Sequence, residues 1–314
     1  MSPVIIPKHL PANKTLRNEN IFVMNAERAL HQDIRPLHIL IVNLMPIKEV
    51  TEEQLLRLLG NTLLQVEITL LHMASHESKN TSQNHLEAFY KTLDDIKMHR
   101  YDAMIVTGAP VETLPYEEVT YWNEFCDILE WAKDNVFSSF FICWAAQAAL
   151  YTHYGIDKEV LPKKLFGIYQ HSIVDANEPL FRGFDDHFEV PHSRHTRVSE
   201  AAVYAQPNLQ VISSSPESGI YIVADRVRKN FYITGHPEYD RDTLAKEYYR
   251  DLNKGLAINM PEHYFKNDEP KQGIDMNWKG HAHLLFSNWL NYYVYQLTDY
   301  HFIDSKSNTT KETT

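Results

Sequence analysis

Cys143 lies where an apolar run gives way directly to an alanine-rich run. Residues 136–142 precede it and residues 144–150 follow it. A strand that ends in a nucleophile and turns at once into a helix is a nucleophile elbow, which lifts the side chain clear of the sheet. The N-terminus of a helix favours a thiolate over a thiol, and the N–H of Trp144 is placed to stabilise an oxyanion. The pattern predicts a nucleophilic cysteine; the alternative is a cysteine that is only a small buried apolar side chain.

A second segment, residues 235–238, follows the apolar run 231–234 and contains a candidate base. Side chains two residues apart in extended backbone point to the same side, so Glu238 can reach His236 and fix its tautomer. A cysteine, a histidine that serves it as a base and a carboxylate that orients the histidine are the groups of cysteine catalysis. The alternative is a turn with a solvated histidine and glutamate. Both segments follow predicted strands, and active residues of a doubly wound sheet collect at the carboxyl ends of its strands.

The composition narrows the class of protein. The chain has 314 residues, of which 44% are hydrophobic and 23% charged, a length that suits one large domain or two closely packed ones. We find no apolar run as long as a membrane span, no export signal and only two cysteines, which favours the cytoplasm. The net charge of −11 comes without a basic block, so nothing suggests nucleic acid. The histidine clusters 192–195 and 281–283 lack the spacing of a metal motif, and we expect no metal site.

Strand-like and helix-like segments alternate four times in the first half of the chain. This alternation predicts an α/β fold, a mostly parallel doubly wound sheet with covered faces. The predicted strands are residues 37–44, 66–71, 101–108 and 136–142, and the predicted helices are residues 51–59, 84–96 and 118–134. Residues 51–54 resemble a capping box that opens the first helix, and Gly60 ends it. Cys126 falls on the third helix at core spacing, so it is expected to be structural.

Beyond Gly155 the pattern changes to shorter apolar runs, which predicts β-rich additions to the sheet. The predicted strands here are residues 165–174, 197–203, 209–213, 219–224 and 231–234, the last two forming a hairpin, and the predicted helices are residues 242–253 and 283–297. We divide the chain into an irregular N-terminal arm with one short helical stretch (1–34), one catalytic α/β domain (35–300) and a polar C-terminal tail (301–314). The tail is expected to be disordered.

The two catalytic segments, residues 142–147 and 235–238, are similar to those of the Cys–His–Glu triad of class I glutamine amidotransferases. Further segments resemble the homoserine O-acyltransferases, which share that fold: residues 18–24, 43–46, 55–62, 107–112 and 288–296. This resemblance runs from about residue 1 to residue 300. One departure is Ala145, where members of the family often have glycine, and alanine costs little in the first turn of a helix.

The resemblance implies ping-pong acyl transfer without a metal or redox cofactor, in methionine biosynthesis. Cys143 would take the acyl group of an acyl-CoA as a thioester. The γ-hydroxyl of L-homoserine would then attack this thioester, with His236 removing its proton and Glu238 orienting His236. The family resemblance also implies a homodimer. Acyl-CoA and L-homoserine would be the small-molecule partners.

The same resemblance implies residues that bind the substrate. Lys164, Ser193 and Arg250 would bind homoserine, and the two cations suit its carboxylate. Lys48 resembles a family lysine near the site. Glu112 corresponds to the family position associated with acyl choice, where glycine goes with succinyl transfer and glutamate with acetyl transfer.

Glu112 therefore implies acetyl-CoA as the donor. Two carboxylates at about 4 Å and an effective dielectric constant near 20 repel each other by on the order of 4 kcal/mol, which would disfavour a succinyl group. The alternatives are a homoserine O-succinyltransferase, a glutamine amidotransferase-type hydrolase that releases ammonia to a synthase, and a binding or regulatory protein with an inert cysteine.

Overall fold

The computed structural model describes residues 4–19, 21–25, 35–78 and 80–299. Their strands are β1 (Val4–Ile5), β2 (Val23–Met24), β3 (Leu37–Val42), β4 (Val66–Leu71), β5 (Tyr90–Lys91), β6 (Tyr101–Val106), β7 (Val136–Ile142), β8 (Lys158–Ile173), β9 (His187–Val198), β10 (Leu209–Ser215), β11 (Gly219–Asp225) and β12 (Asn230–Ile233). Their α-helices are α1 (Ala12–Asn18), α2 (Lys48–Leu59), α3 (Gln83–Phe89), α4 (Leu93–Ile96), α5 (Trp122–Asn135), α6 (Trp144–Tyr154), α7 (Glu200–Tyr204), α8 (Thr243–Asn253) and α9 (Lys279–Asn288), and α9 continues as a π-helix over Trp289–Tyr295.

The described strands form one sheet in the order β2-β1-β4-β3-β6-β7-β12-β11-β10-β8-β9, with β5 paired to β4. From β2 to β12 all neighbours are parallel, as the alternating pattern predicts. Ile142, the last residue of β7, lies opposite Ile233, the last residue of β12. The segments that follow these two strands therefore leave the sheet side by side.

From β12 to β9 the neighbours are antiparallel, which confirms the predicted β-rich addition and the hairpin of β11 and β12. Two details of the prediction are wrong. The long strand β9 was not predicted, because buried polar side chains such as His192, Arg194 and Thr196 break up its apolar pattern. Residues 200–203, predicted as part of a strand, belong to α7 because Glu200 and two alanines favour a helical turn after the extended residue Ser199.

Two helices also differ from their predicted bounds. α2 begins at Lys48 rather than Thr51, which is buried inside the helix and does not cap it. The predicted helix 84–96 is broken at Tyr90, which has extended backbone. The phenol of Tyr90 donates a hydrogen bond of 2.6 Å to the buried carboxylate of Glu52, and this contact holds the break in place.

Helices cover both faces of the parallel strands. One apolar core contains side chains of α2 and α9, and the other contains side chains of α5 and α6. This packing fixes the sheet between two rigid layers, so the ends of its strands are well-defined positions for functional groups. Within the described residues, none of the helices is long and apolar enough to cross a membrane.

The N-terminal arm is more regular than predicted. Its helix α1 is accompanied by β1 and β2, which extend the parallel sheet next to β4. The apolar residues of these strands are buried, which explains why they pair instead of staying irregular. The predicted polar tail, residues 301–314, lies outside the described residues.

Candidate active site

Cys143 occupies a strained turn between β7 and α6. Its φ of 51° and ψ of −112° lie in a region that residues other than glycine rarely adopt. Its N–H donates to the carbonyl of Ile233 at 2.7 Å, and its carbonyl accepts from the N–H of Ala146 at 3.1 Å. The adjacent strand and the new helix thus hold the turn from both sides. Such enforced strain is found most often at functional sites.

His236 lies beside Cys143 and is oriented by Glu238. Its Nδ1 is 2.7 Å from Oε1 of Glu238, and its ring stacks on Tyr239 at a centroid distance of 4.1 Å. The backbone N–H of His236 donates to the carbonyl of Pro191 at 2.8 Å, which ties the loop to β9. The imidazole also forms a side-chain hydrogen bond with Cys143. The three groups thus form a connected series from sulfur to carboxylate.

Electrostatics favour a charged imidazole in this series. Burial by itself lowers the pKa of His236. The negative charges of Cys143 and Glu238 and the hydrogen bonds to both outweigh burial, and the pKa stands well above its ordinary value. The surroundings therefore favour the protonated form of His236.

Gly108, just beyond β6, forms a wall of this site that the sequence analysis did not identify. A Cβ atom at this position would lie 3.3 Å from Cβ of Cys143 and 3.4 Å from Cε1 of His236. Any larger side chain would press the nucleophile and the base apart. The only sequence signal was its membership in the segment 107–112.

The predicted substrate-binding residues converge on a carboxylate that the sequence analysis missed, that of Glu247 in α8. Ser193 Oγ donates to Glu247 Oε1 at 2.7 Å, and the ammonium of Lys164 binds the same oxygen. The guanidinium of Arg250 is 3.9 Å from it and also binds Asp251 at 2.6 Å. Glu247 stands three residues before Arg250, a spacing that puts both on one face of a helix. That spacing was the available signal.

This cluster borders the catalytic groups through Tyr239. Burial above all raises the pKa of Tyr239 well above its ordinary value, and the carboxylates of Glu247, Glu238 and Glu112 raise it further. The charges of Glu247 and Glu112 thus both act on the ring that stacks on His236. Glu112 also acts on Lys158.

Trp144 and Lys48 have different surroundings. The indole of Trp144 is buried and packs against Phe125 at a centroid distance of 5.2 Å, while its backbone N–H is in the first turn of α6, where helices leave N–H groups free of helical acceptors. Lys48 is buried at the start of α2, and its ammonium donates to the carbonyl of Asn43 at 2.5 Å. Burial lowers its pKa to about 8, although Glu52 and Glu49 oppose this. Its described contacts do not include the triad.

The histidine clusters are engaged in other contacts. His192 stacks on His171 at 5.1 Å, and His281 is 3.2 Å from Asp185. Within the described part of the chain, no group of three or more His, Cys, Asp or Glu side chains could hold a metal ion. Cys126 is partly buried on α5.

A family model and individual relatives point to the same protein family. A family model described as homoserine O-succinyltransferase matches residues 3–300. A protein of Brevibacillus brevis named homoserine O-acetyltransferase is 55% identical over 304 residues, which are 97% of this chain and 99% of that protein. A protein of Clostridium tetani with the same name is 56% identical over 303 residues, 96% of this chain and 99% of that protein.

A solved structure of a glutamine amidotransferase from Thermotoga maritima shares the fold, with a TM-score of 0.54 at 15% identity over 82% of this chain and 97% of that one. This likeness confirms the predicted α/β architecture and speaks to the fold alone. The family match covers nearly the whole length. The chain therefore belongs to the homoserine O-acyltransferase family and is an acyltransferase.

Proposed function

We propose that this protein transfers an acetyl group from acetyl-CoA to the γ-hydroxyl of L-homoserine through a thioester on Cys143, as a step of methionine biosynthesis. The observation that carries the proposal is the convergence of Lys164, Ser193 and Arg250 on Glu247, whose charge acts on Tyr239, the ring that stacks on the catalytic imidazole. The names of the relatives from Brevibacillus brevis and Clostridium tetani support the same reaction. A homodimer stays an expectation from the family resemblance, and the cytoplasm stays an expectation from the sequence.

The cluster around Glu247 has the charges that an amino acid requires. Homoserine carries an ammonium and a carboxylate, and the cluster offers one carboxylate and two cations. Arg250 is about half exposed and can turn a planar guanidinium to the substrate carboxylate, while Glu247 can accept from the substrate ammonium. Ser193 adds a neutral hydroxyl. Glutamine carries the same two groups, so it is the names of the relatives, and not this pairing, that favour homoserine over glutamine.

In the first half-reaction the Cys143 thiolate attacks the thioester carbonyl of acetyl-CoA. The tetrahedral oxyanion can accept from the N–H of Trp144, in the first turn of α6. When the intermediate collapses, the bond to the CoA sulfur breaks and the imidazolium of His236 gives its proton to that sulfur. CoA leaves as a thiol, and the enzyme keeps the acetyl group on Cys143.

In the second half-reaction the charge balance at His236 changes. Acetylation removes the negative charge of Cys143, the first of the groups that hold the pKa of His236 up. Burial then counts for more, and the pKa of His236 falls, so the imidazole stays neutral and available as a base. It removes the proton of the homoserine hydroxyl, whose oxygen attacks the thioester. Collapse releases the ester and restores the thiolate–imidazolium pair.

Glu112 supports acetyl over succinyl as the transferred group. Its carboxylate raises the pKa of Tyr239, whose ring stacks on His236, which supports a role for its charge near the reacting groups. A succinyl group ends in a second carboxylate, and a third of the repulsion of about 4 kcal/mol at 4 Å would already slow its transfer roughly tenfold. A two-carbon acetyl group brings no charge to this position.

The test is to incubate the protein with acetyl-CoA or succinyl-CoA without homoserine and to measure the intact mass. We expect one acetyl group per chain, on a peptide that contains Cys143, and rapid release of that group when homoserine is added. Glu112→Gly is expected to gain reaction with succinyl-CoA. A wild-type preference for succinyl-CoA would refute the choice of donor. Ammonia release from glutamine without acylation would favour the amidotransferase alternative.

A further inference from the structure

Arg194 in β9 is a guanidinium enclosed in the protein without an ion-pair partner among the described residues. It is 2% exposed. Its Nη1 donates to the carbonyl of Thr196 at 2.8 Å and its Nη2 to the carbonyl of Ser218 at 2.6 Å, while its buried Nε has no hydrogen-bond partner in the described part of the chain. Carbonyl groups satisfy part of the hydrogen-bonding capacity but do not neutralise the charge. A buried charge of this kind is costly unless an opposite charge lies nearby.

The geometry of β9 shows where that opposite charge lies. Alternate residues of a strand share a face, so His192, Arg194 and Thr196 point to the same side. His192 lies against Gly235, since a Cβ atom there would be 3.0 Å from its ring. Thr196 Oγ1 donates to the side chain of Gln147 at 2.8 Å. Gly235 precedes the catalytic histidine and Gln147 belongs to the helix that begins after Cys143, so Arg194 lies between the two catalytic segments.

The electrostatic surroundings agree with this position. Burial lowers the pKa of Arg194 to about 10, and the first of the groups that oppose the shift is Cys143, ahead of Tyr169 and Glu200. Arg197 acts in the other direction. A guanidinium with this pKa still carries its charge at neutral pH.

The neighbouring imidazoles do not share that charge. Burial lowers the pKa of His171 to about 3 and that of His192 well below its ordinary value. Both are therefore neutral near pH 7. The catalytic segment after β12 contributes His236, Glu238 and Tyr239, whose ring stacks on the catalytic imidazole. Arg194 is thus a permanent cation in β9 whose charge acts on Cys143.

We propose that Arg194 is a positioning residue that supplies a permanent positive charge to the Cys143 thiolate from beneath the site, in addition to His236. This rests on Cys143 as the nucleophile of the proposed function. His236 must gain and lose a proton in each cycle, whereas a guanidinium keeps its charge throughout. Arg194 therefore stabilises the thiolate both before attack and when it is expelled from the thioester.

The test measures how fast iodoacetamide, a neutral reagent, alkylates Cys143 as a function of pH. All variants carry Cys126→Ala so that one cysteine reacts. In Arg194→Met and Arg194→Gln we expect alkylation to slow roughly tenfold near pH 6 and little near pH 9. A shift of the pH–rate profile by about one pH unit changes the alkylation rate tenfold on the rising part of the profile. Arg194→Lys keeps a cation and is expected to recover most of the rate.

The matched control is Arg197→Gln, on the same strand. Arg197 is about half exposed and bound to Glu159 at 3.1 Å, and its loss is expected to change the rate less than twofold. Arg194→Met replaces a buried charge with an apolar chain of similar length, a change that folded proteins often tolerate, and Arg194→Gln provides a second neutral variant. Thermal unfolding identifies the folded variants.

A profile of either neutral variant that superimposes on that of Arg197→Gln would overturn the inference. Alkylation does not require acetyl-CoA, so the two proposals fail separately. If wild-type protein is not acylated but the alkylation profile of Arg194→Met still moves, the proposed function is refuted and the role of Arg194 at the thiolate stands.

Discussion

The parallel and antiparallel halves of the sheet bring their functional groups together in different ways. In the parallel half, Cys143 and His236 follow neighbouring strands whose last residues, Ile142 and Ile233, lie opposite each other. In the antiparallel half, Lys164 and Ser193 meet only because β8 and β9 form a long hairpin. This hairpin pairs Phe166 with Ser193 and has a register shift between Val160 and Leu165 that takes in Lys164.

The catalytic groups belong to the parallel half of the sheet, and the proposed substrate-binding groups belong to the antiparallel half and α8. In the parallel half, the backbone holds the nucleophile: Cys143 has a positive φ and directly precedes a helix. Few other backbone conformations would keep its side chain in this position. The antiparallel half and α8 hold side chains that touch through one shared carboxylate, Glu247. Substitution of the catalytic groups in the parallel half should therefore abolish turnover. Substitution of the groups in the antiparallel half and α8 should weaken the binding of homoserine and leave formation of the acyl-enzyme intact.

The largest effect is expected from Cys143→Ala. Loss of the nucleophile should reduce turnover by about 10⁴-fold or more, with no acyl-enzyme, since residues that act as a unit lose nearly all activity together. The cooperative thermal unfolding should be retained. Cys126→Ala is the matched control and should keep activity within about twofold. Substantial turnover in Cys143→Ala would refute the thioester mechanism.

Glu238→Gln should come next, with a loss of about 10²- to 10⁴-fold in turnover. Glutamine keeps the size of the side chain but removes a charge that raises the pKa of His236. The pKa of His236 in the free enzyme should therefore fall, because burial then opposes the imidazolium with less compensation. Titration of the His236 ring by NMR checks the direction. An unchanged titration would show that Glu238 does not govern the imidazole.

Arg250→Ala should affect the second half-reaction only. A lost hydrogen bond to a charged group costs about 1.5 to 3 kcal/mol, so the KM for homoserine should rise about 10- to 100-fold. Formation of the acyl-enzyme should stay within about twofold. Lys246→Ala on the same helix, whose ammonium binds only Asp242 among its described partners, is the matched control. If Arg250→Ala instead prevents acylation, Arg250 belongs to the CoA half-reaction.

The groups of the parallel half could be predicted from the sequence, and most contacts of the antiparallel half could not. The elbow around Cys143 and the His236–Glu238 pair are local patterns, so the parallel strands and the proximity of these groups follow from short segments. The partners of Ser193 do not, because β9 has buried polar residues in place of an apolar run and was not predicted. The family resemblance identified Ser193, but not its neighbour Glu247. A shared carboxylate depends on the register of a hairpin against a helix 54 residues farther along the chain.

The smallest effect should come from Ser193→Ala, which tests how the recognition cluster is held. The Ser193 hydroxyl donates to Glu247, whose carboxylate also binds Lys164. Its loss leaves the carboxylate in place with its cations, and one neutral hydrogen bond contributes about 1 kcal/mol, so the KM for homoserine should rise about fivefold. Glu247→Gln removes the common acceptor and should exceed Ser193→Ala by about tenfold in KM, since Lys164 and Arg250 lose their partner together. Steady-state kinetics with both variants and the double variant check the order. Additive effects would show that Ser193 contacts homoserine independently, whereas a double variant no worse than Glu247→Gln would show that Ser193 acts by holding Glu247.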